Sequence, residues 1–173
     1  MMIDYPMCLP HGPLTTTPAE PNAPKEDQHE AMTRYTDIML KKLIDALNEL
    51  KIRDNTIVVW TTDNGTGVGQ IGRMNDRYVR GGKMHLTENG LNAPFIVNCP
   101  GIVPSGVVTD ALIDFTDLLP TFCDLAGAEM NKEFTYDGRS FAPLILGKKD
   151  DSEREWIQGL GGRFAMLVND RIT

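Results

Sequence analysis

A long amphipathic helical pattern that leads into a short apolar strand constrains the fold of this chain most. Apolar residues recur at three- and four-residue steps, which predicts a helix from Asp27 with one buried face; they are Met32, Tyr35, Met39, Leu43, Leu47 and Leu50. Residues 56–61, TIVVWT, follow after a short turn and are β-branched and apolar. Such a strand is typical of a parallel sheet buried on both faces, so the sequence predicts an α/β fold.

Shorter patterns predict the other elements. Asp27 and Glu30 form a candidate capping box for the long helix, and a glycine-rich stretch over residues 63–93 shows no clear period. The remaining predictions are a weak strand at 3–9, a strand at 94–98, a helix at 117–126 capped by Thr116 and ended by Gly127, a short helix at 141–146, and a hairpin of 155–160 with 164–168 joined by Gly161-Gly162. Residues 1–150 are assigned to one domain and 151–173 to the beginning of a second subdomain.

Composition excludes some functions. The chain has 173 residues, enough for one compact domain, and a net charge of −7, which argues against nucleic-acid binding. No apolar run approaches the roughly 18 residues of a membrane span. Three widely spaced cysteines show no metal or disulfide pattern. No secretion signal is visible, so localisation cannot be read from these residues.

Asp63-Asn64-Gly65 is the first candidate site, because it directly follows the predicted buried strand. Ligands of open α/β sheets bind beyond the carboxyl ends of strands. A carboxylate and an amide oxygen are ligands for Ca²⁺ or Mg²⁺. The same three residues also favour turns, and on spacing alone the turn is the better interpretation.

Other motifs are weaker when each is taken alone. Lys83 follows two glycines, which suits an oxyanion contact, although an exposed loop lysine has the same sequence. His11 lies in a proline turn, where a surface role is more common. Residues 67–72 spell GxGxxG, but no apolar helical stripe follows, so dinucleotide binding is rejected.

The order of several blocks resembles the sulfatase family over residues 5–147, with a weaker likeness at 154–157. These blocks are PHGP, NTIVVWTTDNG, RGGK, ENGLNAPFIVNCPG, DFTDLLPTFCDLAG and DGRSFAPLILG. The resemblance implies an alkaline-phosphatase-like mixed sheet flanked by helices, followed by a small C-terminal antiparallel sheet. It also implies a hydrolase that acts on sulfate esters.

The resemblance assigns four residues a role. Asp63 and Asn64 match the family's cation ligands, usually for Ca²⁺, with Mg²⁺ as an alternative. Lys83 and His11 match catalytic residues that also contact the sulfate: the lysine near the bridging oxygen, and the histidine as a proton donor to the departing alcohol. Histidine suits that role near neutral pH.

The family's nucleophile motif is not found. Members carry C-x-P-x-R or S-x-P-x-R, whose first residue becomes formylglycine, and an Asp-Asp pair that completes the metal site. Cys8-Leu9-Pro10 has the start of this motif, but Gly12 replaces the arginine, and Asp150-Asp151 lies far along the chain. The sequence is therefore interpreted as a fragment that is inactive alone and binds cations weakly, from an exported or lysosomal parent by analogy.

Two alternative functions remain open. A phosphodiesterase or phosphonate hydrolase of the same superfamily shares these blocks. A non-catalytic protein could use the same half-fold for assembly or anion binding. Self-association through an unpaired sheet edge is a further expectation. Substrate identity, whether polysaccharide, steroid or aryl sulfate, is not determined by the sequence.

Overall fold

A computed structural model of the chain describes the backbone of residues 1–161 and 164–168. The helices are α1 Gln28–Glu49, α2 Glu88–Leu91, α3 Leu118–Ala126 and α4 Ala142–Ile145, with 3-10 turns at Arg53–Asn55 and Phe115–Asp117. The strands are β1 Val58–Thr61, β2 Ile71–Met74, β3 Arg77–Arg80, β4 Phe95–Asn98, β5 Ile157–Gly161 and β6 Phe164–Val168. Two compact units divide the chain, Met1–Thr56 and Ile57–Thr173. Within the described ranges, no helix combines the length and the apolar character that crossing a bilayer requires.

The first unit is built around α1, the long helix that the sequence predicts. Asp27 occupies its N-cap position, but its side chain makes no capping hydrogen bond, so the predicted capping box is wrong. Glu30 instead accepts a hydrogen bond from Arg34 at 3.4 Å. Arg34 also donates two hydrogen bonds to Glu20, at 2.8 and 2.7 Å. The Glu30 carboxylate therefore binds the guanidinium of Arg34, one turn further along the helix, instead of the backbone N–H of the N-cap residue.

The predicted apolar stripe of α1 is buried only near the start of the helix. Met32 is 1% exposed, whereas Leu43 and Leu50 are 40% and 68% exposed. The weak strand predicted at 3–9 is absent, and those residues form no regular element. Pro6 removes one backbone donor from that segment, which disfavours strand pairing.

The second unit contains three two-stranded antiparallel sheets among its described residues. β1 pairs with β4, and Trp60 lies opposite Ile96. The predicted apolar strands at 56–61 and 94–98 are therefore confirmed, but the parallel arrangement expected for the first is wrong for this pair. The predicted burial on both faces is also wrong for these strands, because β1 is half-buried along its length and Ile96 of β4 is exposed. Strand direction depends on the path of the connecting chain rather than on composition. The ring of Phe95 packs edge-on against Phe141, with centroids 5.7 Å apart.

The glycine-rich stretch contains a hairpin that the sequence analysis did not predict. β2 pairs with β3 through the two-residue turn Asn75-Asp76. Both turn residues have positive φ angles, 48° and 65°. Asn and Asp tolerate this left-handed conformation, which two-residue hairpin turns of type I′ require.

The helix predicted at 117–126 is present as α3, but its cap differs from the prediction. Asp114, rather than Thr116, begins the preceding 3-10 turn and forms a capping box with Asp117. Gly127 ends the helix with φ 65°, as predicted. The short helix α4 is confirmed with narrower bounds than 141–146. β5 and β6 confirm the predicted hairpin, while Gly162 of its predicted turn lies outside the described residues.

Asp117 is the buried polar centre of the second unit, with 2% of its surface exposed. One carboxylate oxygen accepts hydrogen bonds from the backbone N–H of Asp114 and from Arg154 Nε, both at 2.8 Å. The other oxygen accepts the backbone N–H of Arg139 at 2.7 Å and a second Arg154 nitrogen. Burial opposes ionisation, but the Arg154 hydrogen bonds and the two backbone donors outweigh it and lower the pKa of Asp117. The carboxylate thus joins α3 to the segment that enters β5.

Replacing Asp117 with asparagine should destabilise the protein by about 3 kcal/mol at neutral pH, because Arg154 is left without its partner. A depressed folded-state pKa stabilises the fold above the ordinary aspartate pKa of about 4. That stabilisation is lost as the pH falls through the folded-state pKa. Urea denaturation at several pH values should therefore show the wild type and the variant converging in acid.

Glu153→Gln is the matched control, because it breaks the exposed Lys149–Glu153 ion pair, 2.7 Å long. An exposed pair contributes about 0.5 kcal/mol. If Asp117→Asn and Glu153→Gln lower the free energy of unfolding equally, Asp117 has no special structural role.

Candidate functional site

Asp63 and Asn64 lie in the bend that follows the C-terminal end of β1. Asp63 is exposed and Asn64 is half-buried. The Thr62 hydroxyl donates to the Asn64 carbonyl at 3.1 Å, which stabilises the bend through the backbone. The turn interpretation and the site interpretation are therefore compatible, because forming the bend uses neither candidate ligand side chain.

The loop that carries Lys83 is joined to this bend by a backbone hydrogen bond. The N–H of Lys83 donates to the carbonyl of Thr66 at 2.9 Å. A second bond links the two segments, from the N–H of Gly65 to the carbonyl of Gly90 at 3.1 Å. The structure thus brings Asp63, Asn64 and Lys83 into one loop cluster, although they are about 20 positions apart in sequence.

Four glycines allow this close approach, and we call them the glycine cluster: Gly65, Gly81, Gly82 and Gly90. A Cβ on Gly65 would stand 1.9 Å from the carbonyl oxygen of Asn89, and one on Gly81 would stand 2.1 Å from that of Gly67. Both distances are far inside van der Waals contact. Side chains are therefore excluded at these four positions by neighbouring backbone.

The three glycines of the GxGxxG pattern, Gly67, Gly69 and Gly72, are not packed against backbone as the glycine cluster is. An added Cβ on Gly67, Gly69 or Gly72 would meet nothing within 4 Å. Gly72 lies in β2, so the pattern leads into a strand rather than a helix. A dinucleotide-binding turn needs a helix N-terminus at this point, and the structure therefore supports the rejection of that motif.

Lys83 occupies a tight turn. The N–H of His85 donates to the carbonyl of Gly82 at 2.8 Å, and Met84 between them has φ 71°. A positive φ at this turn position favours glycine, so methionine is strained there. The Lys83 side chain is partly buried, and its ammonium joins no ion pair with the residues that the structure describes. The lysine is therefore free to contact an anionic ligand.

The donor chemistry of the bend fits part of a hard-cation site. The Asp63 carboxylate and the Asn64 amide oxygen are suitable ligands for Ca²⁺ or Mg²⁺. Over residues 1–161 and 164–168, no group of three or more His, Cys, Asp or Glu side chains converges on a metal position. Two side chains fall short of the six or more oxygens that Ca²⁺ takes.

His11 belongs to the first unit, Met1–Thr56, whereas the other three predicted residues belong to the second. It is exposed, and its Nδ1 donates to the carbonyl of Gly12 at 2.8 Å. The Nε2 atom is therefore the nitrogen open to a ligand. Convergence of His11 with Lys83 stays a prediction.

The family model for sulfatases matches residues 15–128. Steryl-sulfatase of Rattus norvegicus is 32% identical over 127 residues, which are 70% of this chain and 22% of that protein. The crystal structure of Ps i-CgsB has a TM-score of 0.77 and 26% identity, and the match covers 94% of this chain and 38% of that one.

The same Ps i-CgsB has a structure in complex with k-i-k-neocarrahexaose, with a TM-score of 0.74, 25% identity, and coverage of 93% and 38%. The structure of the phosphonate monoester hydrolase SpPMH from Silicibacter pomeroyi has a TM-score of 0.60 and 25% identity. The match covers 83% of this chain and 29% of that one.

These matches confirm the predicted α/β fold of the alkaline-phosphatase type. The chain spans between about a fifth and two fifths of the length of the relatives described here. The family model covers well over half of the chain, and the steryl-sulfatase match extends over a similar share. This protein chain belongs to the sulfatase family.

Proposed function

We propose that this chain supplies the cation-binding and sulfate-contacting part of an enzyme that hydrolyses sulfate esters. The observation that carries the proposal is the hydrogen bond from the Lys83 backbone to Thr66, because it holds a cationic side chain on the loop of Asp63 and Asn64. The loop cluster combines a carboxylate, an amide oxygen and an ammonium that forms no ion pair with the described residues. These groups suit a divalent cation with a bound oxyanion.

Each residue has a distinct task in this proposal. Asp63 and Asn64 would hold part of the coordination shell of Ca²⁺ or Mg²⁺, which neutralises negative charge on the sulfuryl group when it is bound. Lys83 would place its ammonium beside the bridging oxygen, where negative charge develops as the ester bond breaks. His11 would donate a proton to the departing alcohol through Nε2.

The nucleophile is not among these 173 residues, because Gly12 replaces the arginine of the only C-x-P sequence. Formylglycine, and the acidic pair that completes the metal site, are expected elsewhere in the catalytic unit. Without a covalent nucleophile, positioning and charge stabilisation have no attacking atom to act upon.

The isolated chain should therefore not hydrolyse an aryl sulfate. Purified protein, checked for folding by circular dichroism, would be incubated with 4-nitrophenyl sulfate and excess Ca²⁺, and release of nitrophenol would be followed by absorbance. The blank is the same protein with Lys83→Ala. Turnover by the unmodified chain that disappears in this variant would contradict the assignment of the nucleophile to another segment.

Calcium affinity of the isolated chain should be weak, with a dissociation constant of about 1 mM or above, because two side chains fill only part of the shell. Isothermal titration calorimetry with CaCl₂ measures it directly, and Asp63→Asn should remove the remaining heat. Asp124→Asn, an exposed carboxylate on α3, is the control. Micromolar binding that survives Asp63→Asn would place the cation elsewhere.

The decisive experiment uses the full-length gene product that contains this chain. Lys83→Ala should lower kcat for a sulfate ester by about 100-fold or more, because one transition-state donor is lost. Lys132→Ala, an exposed loop lysine, should leave kcat unchanged. Equal activity of the Lys83 variant and the wild type would remove the lysine from the reaction.

A second candidate, a phosphonate or phosphodiester hydrolase, is favoured by the likeness to SpPMH. Both activities use a cation and fixed positive charges on a tetrahedral oxyanion. Parallel assays with a sulfate ester, a phosphodiester and a phosphonate monoester separate the two, and preference for the phosphorus substrates would replace the main proposal. Absence of all three activities would favour the non-catalytic alternative.

Self-association also remains a proposal. β1 and β4 form a two-stranded sheet whose outer edges pair with no strand in the described part of the chain. Ile96 in β4 is 56% exposed. An apolar side chain beside an unpaired strand edge favours pairing with another chain.

A further inference from the structure

The β2–β3 hairpin has two chemically different faces. Directly opposed residues of an antiparallel pair share a face, and alternate residues along a strand do so as well. The observed register therefore places four residues on one face, which we call the arginine-tyrosine face: Ile71, Arg73, Tyr78 and Arg80. The opposite face carries Gly72, Met74, Arg77 and Val79.

Tyr78 is the centre of the arginine-tyrosine face. It lies directly opposite Arg73 and is 83% exposed. Arg80, two residues further along the same strand, donates from Nε to the carbonyl of Val68 at 2.8 Å, which holds its guanidinium on the loop. Tyr78 therefore presents an exposed aromatic ring on the same face of the hairpin as Arg73 and Arg80.

The charge of the hairpin differs from that of the rest of the chain. Residues 71–80 contain three arginines and one aspartate, in a chain of net charge −7. Arg73 is bound to the turn residue Asp76 at 2.6 Å, but both side chains are highly exposed, at 66% and 90%. Such a pair contributes little stability, so an anionic ligand can displace Asp76 from Arg73.

The hairpin is attached directly to the loop cluster of the candidate site. The N–H of Gly81 donates to the carbonyl of Gln70 at 2.9 Å, which closes the base of the hairpin. Asn89 donates from its side chain to the carbonyl of Arg80 at 3.0 Å. Arg80 of this face is three residues before Lys83, so the hairpin and Lys83 are carried by one hydrogen-bonded segment.

We propose that the arginine-tyrosine face is a subsite for a sugar unit of a sulfated oligosaccharide whose reacting sulfate lies at Lys83. The negatively charged face of the Tyr78 ring attracts the weakly positive C–H groups on one side of a sugar ring. The planar guanidinium of Arg73 donates two parallel hydrogen bonds to a sulfate on that sugar. This inference rests on the proposed function, and it selects a polyanionic saccharide over a steroid or a simple aryl sulfate.

The test uses the full 173-residue chain and a sulfated carrageenan hexasaccharide, with the desulfated hexasaccharide as the neutral comparison. Binding is measured by NMR titration at about 0.15 M salt, where long-range attraction is screened. Arg73→Ala and Tyr78→Ala should each weaken binding of the sulfated ligand by about tenfold. The desulfated ligand should bind more weakly than the sulfated one.

Arg77→Ala is the matched control, because it removes the same charge from the same hairpin on the opposite face. Its affinity should stay within about twofold of the wild type, as expected for an exposed charge outside the subsite. Asp76→Asn keeps a residue that tolerates the left-handed turn and frees Arg73, so it should bind about two- to threefold more tightly. Circular dichroism and amide spectra check that each variant is folded.

Equal losses in Arg73→Ala and Arg77→Ala would show only nonspecific attraction and overturn the proposal, as would undetectable binding by the wild type. The result of the saccharide-binding test can be distinguished from the result of the enzyme assay. Arg73-dependent binding with no sulfatase activity in the full-length product would sink the proposed function alone. Aryl sulfatase activity with no saccharide binding would sink the subsite alone.

Discussion

Gly65, Gly81, Gly82 and Gly90 pack backbone against backbone, and the candidate site depends on that contact. Their missing side chains let the Lys83 loop approach the bend after β1 closely enough for the bond to Thr66. An alanine at Gly65 would place a carbon 1.9 Å from the Asn89 oxygen, so the two loops would have to separate. The bend with Asp63 and Asn64 and the loop with Lys83, which the proposed function needs together, then no longer share one support.

The buried Asp117–Arg154 pair is the second constraint, and it is linked to the first through β5. Arg154 lies just before β5, and an added Cβ on Gly159 in that strand would stand 2.7 Å from Leu91. Leu91 ends α2, the short helix that contains Gly90. The C-terminal hairpin thus packs against α2, whose Gly90 belongs to the glycine cluster.

The two proposals assign different parts of a substrate to two parts of the second unit, the packed loop cluster and the exposed β2–β3 hairpin. In the proposed function, the loop cluster supplies the Lys83 ammonium and the Asp63 and Asn64 oxygens for the common feature of all sulfate esters, the sulfuryl group. The β2–β3 hairpin projects its arginine-tyrosine face beside that cluster and suits the variable remainder of a substrate. Rigid backbone packing supports reaction chemistry, while an exposed hairpin with few packing constraints tolerates the changes that specificity demands.

Sequence alone determined the identity and order of several main elements, which are the helix α1, the apolar strands β1 and β4 and the helix ended by Gly127, and it carried the resemblance to the sulfatase family. Those features are local, because hydrophobic period and turn chemistry act over a few residues. Only the tertiary structure decided that β1 and β4 run antiparallel, that Glu30 accepts a hydrogen bond from Arg34 instead of capping α1, and that the Lys83 backbone donates to Thr66. These outcomes depend on contacts between distant segments, which no local pattern of residues encodes.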